Sequence, residues 1–218
     1  MKPTTKSLYV ALALAVQVIG LGTLIYRYER VVMVGTEVKF QCSAYDPYDP
    51  LRGRYLQMRV VSSCTNVVLA TEPKLYEVFD DRLYALIDPK GSTNGLAQVV
   101  QVAEKPTGEG LWIKAKRVQI ESLLSSGEKG KDESWDAFDE RRKKAGRRAI
   151  VSFPDQFFVN EKVSLDAEAF LGKNGVTPVA VFRVHDGTCL ITGIEVDGKP
   201  ILDRVREWKA TQTVKGGR

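Results

Sequence analysis

The stretch that decides the fold is Asp46-Pro47-Tyr48-Asp49-Pro50-Leu51-Arg52-Gly53-Arg54-Tyr55-Leu56-Gln57-Met58-Arg59-Val60. Its two Asp-Pro steps stiffen the backbone, because proline fixes its own φ and moves the preceding residue away from helical conformations. Gly53 gives the chain a low-cost entry into the segment after the turn. In that segment Leu56, Met58 and Val60 alternate with polar residues, which is typical of a half-buried strand. The stretch therefore predicts a rigid, charged turn that leads into a core strand.

Further β-type patterns lie on both sides of this stretch. Alternating or apolar runs at 38–44, 83–87, 96–103, 111–120, 150–153 and 157–159 predict strands, and 163–171 predicts a short helix. Two Asp-Gly dipeptides, Asp186-Gly187 and Asp197-Gly198, suit the tight turns of β-hairpins. We expect a mainly β domain over residues 36–206, an antiparallel open barrel or sandwich with one or two short helices. A polar tail is expected at 207–218.

The N-terminal residues 8–26 carry no charge, and Gln17 is their only strongly polar side chain. About 20 such residues in a helix match the hydrocarbon thickness of a bilayer. Tyr9 and Tyr26 lie at the two ends, where aromatic rings favour the membrane interface. We expect one transmembrane anchor after a tail at 1–7 and before a juxtamembrane connection at 27–35; the alternative is a cleaved signal peptide.

The orientation of this anchor does not follow from charge alone. Lys2 and Lys6 precede the anchor, whereas Arg27 and Arg30 follow it, so the positive charges on the two sides nearly balance. Because the N-terminal tail is short, we expect it to remain in the cytoplasm. The body of the protein would then lie outside the cytoplasm.

The net charge of +5 comes from one short region. Removing its six basic residues leaves 26 basic against 27 acidic residues in the remainder of the chain. No aromatic residues interleave this run, so binding of nucleic acid is not expected.

The three cysteines, Cys42, Cys64 and Cys189, show no C-x-x-C spacing and predict free buried thiols; a Cys42–Cys64 bridge is the alternative.

The basic region lies in a charged insertion at about 122–148. Asp132, Glu133 and Asp136 precede the basic run, which is the polarity that a helix macrodipole favours, and Trp135 and Phe138 would share one helix face. One reading of the run is contact with anionic lipid or an acidic partner, and the other is a solvated helix end. The six residues concerned are Arg141, Arg142, Lys143, Lys144, Arg147 and Arg148.

The 46–60 stretch resembles the motif of the bacterial GDYXXLXY proteins, named for G-D-Y-x-x-L-x-Y. Two further blocks are similar to that family: the aromatic segment Phe157-Phe158-Val159-Asn160-Glu161 and the closing hairpins at 182–201. The chain departs from the motif at Arg54, where the family has Asp, at Met58, where it has Leu, and at Val60, where it has the last Tyr. The charge reversal at Arg54 argues against a function that needs a carboxylate there.

The resemblance implies a place in the cell rather than a reaction. It implies a single-pass protein of the bacterial inner membrane with its C-terminal domain in the periplasm, often encoded beside polytopic membrane proteins. No activity is assigned to the family. We therefore expect a non-catalytic interaction or assembly module for an integral membrane partner, with the bilayer contacted through residues 8–26.

The motif supplies the candidate binding residues. Asp46 and Asp49 could bind a cation or a basic group of a partner, with Glu161 as a further ligand, although both aspartates could equally serve as turn caps. Tyr55 and the residues of the turn would form the rest of this predicted binding surface. The full set is Asp46, Asp49, Arg52, Gly53, Tyr55 and Glu161.

Catalysis is not expected from this sequence. A hydrolytic site needs a base beside its nucleophile, and the single histidine, His185, stands next to a predicted turn. The rival reading is a degenerate signal-peptidase-like serine–lysine hydrolase, for which Ser62, Ser63 and Lys114 are the candidates. The Ser-Met-x-Pro segment of those enzymes is missing after the anchor. No metal or cofactor is expected, and small-ligand or cation binding stays an alternative.

Overall fold

The structure is a computed structural model, and it describes residues 5–45, 55–71, 73–74, 76–91, 94–154, 156–158, 161–172 and 175–216. At residues 5–8, 44–45, 55–57, 126, 156, 158, 161–162 and 213–216 only the backbone is described. The motif turn at 46–54 therefore lies outside the described residues. The prediction of a rigid turn at this place is not tested.

The chain begins with a long helix, α1 (Thr5–Val34), followed by a β-rich body. The segment Tyr9–Val34 is long and apolar enough to cross a membrane, and none of the residues in its most apolar part is buried. These properties are compatible both with an anchor and with a signal sequence. The segment predicted as a juxtamembrane connection, 27–35, is helical as far as Val34, because α1 continues to that residue without a break.

The strands form four open sheets among the described residues. The first two have the orders β1-β13-β14-β15 and β4-β11-β10-β6. Their strands are β1 (Thr36–Gln41), β13 (Pro178–His185), β14 (Thr188–Val196), β15 (Lys199–Pro200), β4 (Val61–Cys64), β11 (Arg147–Ser152), β10 (Arg117–Ser122) and β6 (Val78–Asp80).

The other two sheets have the orders β12-β3-β2 and β5-β8-β7-β9. Their strands are β12 (Gln156–Phe158), β3 (Tyr55–Arg59), β2 (Ser43–Tyr45), β5 (Val67–Val68), β8 (Gln98–Ala103), β7 (Tyr84–Asp88) and β9 (Leu111–Lys114). β5 pairs with β8 in parallel, and the other pairs between these strands are antiparallel. The predicted mainly antiparallel β fold is confirmed.

In the part of the chain that the structure describes, three helices accompany the sheets: α2 (Trp135–Lys144), α3 (Glu161–Leu171) and α4 (Ile201–Gly216), with a 3₁₀ turn at Ser126–Glu128. α2 and α3 were expected from the sequence, but α4 replaces the predicted polar tail. Ile201, Val205 and Trp208 recur at i, i+4 and i+7, which places them on one helix face. That face packs against α3, where the rings of Trp208 and Phe170 are 6.0 Å apart.

One hydrophobic core joins the four sheets, α3 and α4. The alternation predicted for β1 is confirmed, because Val38 and Phe40 are buried while Glu37 and Gln41 are exposed. At its centre Phe40 meets two other fully buried rings, Phe153 at 4.5 Å and Phe182 at 5.9 Å between ring centroids. Such tilted and edge-on aromatic pairs stabilise a core beyond the area they bury.

Both predicted Asp-Gly turns are confirmed. β13 and β14 are joined through Asp186 and Gly187, whose φ angles are +46° and +75°. Asp197 and Gly198 join β14 to β15 with φ angles of +52° and +74°. Positive φ at both central residues is the mark of a type I′ turn, and Asp-Gly adopts it readily.

The predicted single strand at 111–120 is divided in the structure. Its first half, β9, pairs with β7, and its second half, β10, pairs with β11 and β6. Between the halves, the N–H of Ala115 donates to the carbonyl of Leu83, and the N–H of Asp81 donates to the carbonyl of Lys116. These crossing bonds let the chain pass from one sheet to another, which its apolar pattern does not reveal.

All three cysteines are buried and free, as predicted. Burial raises the pKa of Cys42 to about 12, that of Cys64 to about 11 and that of Cys189 to about 12. Because the thiolate is the reactive form, these thiols are protected from oxidation and alkylation in the folded protein.

The end of α1 is tied to the β domain at Gly35. The N–H of Gly35 donates to the carbonyl of Val31, and Nη1 of Arg183 donates to the carbonyl of Gly35, both at 3.0 Å. Nη2 of the same arginine donates to Glu37 at 3.0 Å. A Cβ at position 35 would collide with the carbonyl of Val31 and press on the backbone of Val184 at 3.2 Å. Only glycine fits this junction without movement of the backbone.

We predict that Gly35→Ala destabilises the full chain by about 1–3 kcal/mol, the usual cost of overpacking. The colliding atoms belong to the backbone, so they cannot rotate away as a side chain would. The free energy of unfolding is to be measured in detergent by urea titration of tryptophan fluorescence. Gly22→Ala is the matched control, since a Cβ there meets nothing within 4 Å. Equal stability of the two variants would contradict this account of the junction.

Candidate functional site

The motif residues predicted to bind a partner lie largely outside the described part of the chain. This holds for Asp46, Asp49, Arg52 and Gly53, and the side chains of Tyr55 and Glu161 are likewise not described. The roles assigned to these residues stay predictions.

The backbone nevertheless brings two of the motif-bearing segments together. Strand β3, which follows the turn, pairs with β12 so that Tyr55 is opposite Phe158 and Leu56 is opposite Phe157. Glu161 opens α3 shortly after β12 ends. Segments about 100 residues apart in sequence are thus neighbours in one sheet.

A cavity of about 540 Å³ opens where β3 passes into β4, facing the ends of β6, β10 and β11. We call it the groove. Its floor is formed by Met58, Val60 and Phe153, which are all buried. Val61 and Ser152 line its wall. A cavity of this volume with an apolar floor is typical of a site that binds a ligand or a partner side chain.

The rim of the groove is charged and carries both signs. Its members among the described residues are Arg59, Asp80, Asp81, Lys116 and Arg117. Nε of Arg117 donates to Asp80 at 2.7 Å, and this hydrogen bond raises the pKa of the already cationic arginine. Arg59 makes no ion pair with a described residue. A mixed rim around an apolar floor favours a partner with an apolar side chain flanked by polar groups.

Sequence reasoning identified the strand that carries the groove but missed its rim. Asp80 faces Arg117 only because β6 and β10 pair in antiparallel register, with Asp80 opposite Arg117. The two residues are 37 positions apart, and neither belongs to a recognisable motif. A dense charge cluster at Asp80-Asp81-Arg82 was the one available signal.

The insertion is built around α2, whose N-cap is Ser134. Oγ of Ser134 accepts the N–H of Ala137 at 3.2 Å, which satisfies a free donor of the first turn. Phe138 is fully buried, and the ring of Trp135 meets it edge-on at 6.2 Å. The predicted shared face of these two aromatic residues is confirmed. The helix ends at Lys144, so Arg147 and Arg148 belong to strand β11 instead of the predicted helix.

Most charges of the basic run have partners within the chain. Arg141 pairs with Glu133 at 2.8 Å, Arg142 lies 3.6 Å from Asp139, Lys143 pairs with Glu140 at 3.1 Å and Arg148 pairs with Glu121 at 3.1 Å. The Arg142 guanidinium also stacks on Tyr76, 4.9 Å from the ring centroid, and Lys144 is exposed. The run thus stabilises the insertion, and its contact with lipid or an acidic partner stays a prediction.

The residues named for the alternative functions are separated in the fold. Oγ of Ser62 accepts the N–H of Val99 at 3.2 Å, which joins β4 to β8, whereas Lys114 lies in β9 opposite Tyr84. In the described part of the chain, no group of three or more His, Cys, Asp or Glu side chains is arranged to hold a metal. The absence of catalysis and of a bound metal remains a prediction.

The comparison with known families matches this chain to the family described as GDYXXLXY protein, over residues 17–194. The chain belongs to the GDYXXLXY family. The match covers more than half of α1 and every strand of the groove. Searches of curated proteins and of solved structures find no match. Membership of the GDYXXLXY family thus confirms the resemblance seen in the sequence and adds no activity to it.

In this GDYXXLXY protein we predict that Glu133→Gln loosens the insertion. Hydrogen bonds from Arg141 and the N–H of Gly130 lower the pKa of Glu133. A carboxyl whose pKa is lowered by folding contributes stability above its ordinary pKa, and that stability is lost as the pH falls through the lowered value. Hydrogen exchange of residues 128–141 should therefore be about threefold faster in the variant at pH 7 and similar to wild type in acid.

Asp132→Asn is the control for this measurement, because Asp132 is exposed and makes no ion pair with a described residue. Exchange in that variant should match the wild type at both pH values. A Glu133→Gln effect that is as large in acid as at pH 7 would show that the ion pair with Arg141 is not its cause.

Proposed function

We propose that this protein is a single-pass membrane protein whose β domain lies in the bacterial periplasm and binds an integral membrane partner without catalysing a reaction. The observation that carries the proposal is α1, an exposed apolar helix that runs into β1 with no intervening loop. The groove supplies a place where a partner can bind.

The exposed surface of α1 supports anchoring. Between Tyr9 and Tyr26 its large apolar side chains are between 50% and 68% exposed. Soluble proteins rarely leave so large a continuous apolar surface in contact with water. A bilayer covers it completely, since the helix satisfies its own backbone hydrogen bonds.

The junction at Gly35 supports a domain held at the membrane surface. Val31 is buried, although it belongs to the same helix as the exposed apolar span. The hydrogen bonds of Arg183 to Gly35 and Glu37 connect the helix end to strand β13. With no flexible linker between them, anchor and domain present the groove to partners in the same membrane.

The groove supports a binding role. Val61 is 38% exposed at its wall, and the buried floor below it offers apolar contact. A volume of about 540 Å³ also fits a small ligand, which is the competing candidate function. The two candidate functions differ in the molecule that should bind at the groove, which is a membrane protein in one case and a small ligand in the other.

For the anchor, we predict that the full-length protein resists alkaline carbonate extraction from membranes. Leu14→Arg/Val18→Arg should release it, because each arginine at the centre of a membrane helix costs about 2.5–3.5 kcal/mol. Val68→Arg, at an exposed site in β5, should remain in the membrane. A mature chain whose mass shows that the N-terminal apolar segment has been removed would instead identify a signal peptide.

For the partner, we predict that a photo-crosslinking residue at Val61 forms a discrete adduct with a membrane protein in intact cells. The control position is Val68, a similarly exposed valine that does not line the groove. Arg59→Ala should weaken the adduct at Val61 by removing a rim cation. Adducts of equal yield at both positions, or no adduct at Val61, would contradict partner binding at the groove.

A further inference from the structure

A second cavity, of about 220 Å³, lies between the end of α1 and the turn that joins β13 to β14. We call it the interfacial pocket. Helix α1 contributes Tyr26, Arg27, Arg30 and Val31, and the hairpin contributes His185 and Asp186. None of the residues singled out from the sequence motif lines it.

The position of the pocket along α1 sets its depth in a membrane. Tyr9–Tyr26 is the uncharged part of the helix, and its 18 residues at about 1.5 Å each span about 27 Å, close to the hydrocarbon core of a bilayer. Arg27 is the first charged residue after this span. The pocket therefore lies at the level of the lipid headgroups, an inference that rests on the proposed membrane anchor.

The charge of the pocket favours an anion. Arg27 and Arg30 are three residues apart and so share one face of α1. Neither guanidinium has an ion pair or hydrogen bond with any residue that the structure describes. The carboxylate lining the pocket, that of Asp186, is 82% exposed, and it lies 3.3 Å from Nε2 of His185. That nitrogen is buried and forms no hydrogen bond of good geometry.

We propose that the interfacial pocket binds the phosphate of an anionic phospholipid headgroup. Each arginine guanidinium can bind phosphate oxygens with two parallel hydrogen bonds, which a lysine cannot do. The small volume suits a headgroup better than a larger cofactor. Tyr26 and Tyr28 flank Arg27, at the depth where tyrosine rings favour the membrane interface. The basic run of α2 is a weaker candidate for this contact, since most of its charges are already paired.

The single histidine of the chain gives a direct test. Carbon-13 histidine labelling yields one imidazole signal, from His185 inside the pocket. The full-length protein is to be placed in phosphatidylcholine nanodiscs and in nanodiscs that also contain phosphatidylglycerol. The phosphate of phosphatidylcholine is neutralised by the choline cation of the same headgroup, whereas phosphatidylglycerol keeps a net negative charge. We expect the His185 signal to shift with the phosphatidylglycerol fraction and to saturate.

Arg27→Gln/Arg30→Gln should weaken this response about tenfold or more, because each variant removes hydrogen bonds to a charged group. Arg27→Lys/Arg30→Lys keeps the charge but loses the paired hydrogen bonds, so its response should be intermediate. Arg206→Gln, at an exposed site in α4, should respond like the wild type. An unchanged response in the glutamine variant would overturn the proposal.

Two further measurements distinguish a lipid site from a site for free phosphate, and a failure of the pocket from a failure of the anchor. Inorganic phosphate added to phosphatidylcholine nanodiscs should leave the His185 signal in place; a shift equal to that from phosphatidylglycerol would make this a site for free phosphate and overturn the lipid assignment. A protein that enters nanodiscs but shows no lipid response overturns the pocket alone. A protein that does not enter nanodiscs overturns the anchor and the pocket together.

Discussion

Three buried phenylalanines hold the β domain together. Phe40 comes from β1, Phe182 comes from the neighbouring strand β13, and Phe153 directly follows β11. All three rings lie within 6.0 Å of one another between ring centroids. Their contact joins the first two sheets, which share no strand pairing. Phe153 is also part of the floor of the groove, and its N–H donates to the carbonyl of Val60. The candidate site therefore depends on the same cluster as the fold.

Strand β1 connects this cluster to helix α1. It begins directly after Gly35, where α1 ends, and it carries Phe40 into the core within six residues. Its partner β13 supplies Arg183 to the junction and leads to the turn beside the interfacial pocket. The backbone contacts at Gly35 and the pairing of β1 with β13 restrict movement at the junction between α1 and β1. Hydrogen bonds and packed rings thus connect the end of α1 to the core, without a loop between them.

The sequence predicted the elements whose signals are local. Alternating residues identified β1 and β3, Asp-Gly dipeptides identified both hairpin turns, and the uncharged run identified α1. The largest local error was α4, where polar composition outweighed the spacing of Ile201, Val205 and Trp208. That spacing was present in the sequence, and burial against Phe170 explains why the helix forms despite its polar remainder. Helix stability in proteins comes mostly from such packing.

The groove and the pocket could not be predicted, because both arise where elements distant in sequence meet. Asp80 and Arg117 become neighbours through the pairing of two strands, and Arg27 meets His185 through the packing of α1 on a hairpin. The periodicity of apolar residues predicts which face of a helix or strand is buried. It does not predict which other element packs against that face. The motif candidates between Asp46 and Tyr55 were predicted because a family pattern marks them in a single stretch, and their roles stay predictions. Charges gathered from several strands carry no such mark, so the rim of the groove and the lining of the pocket are visible only in the folded chain.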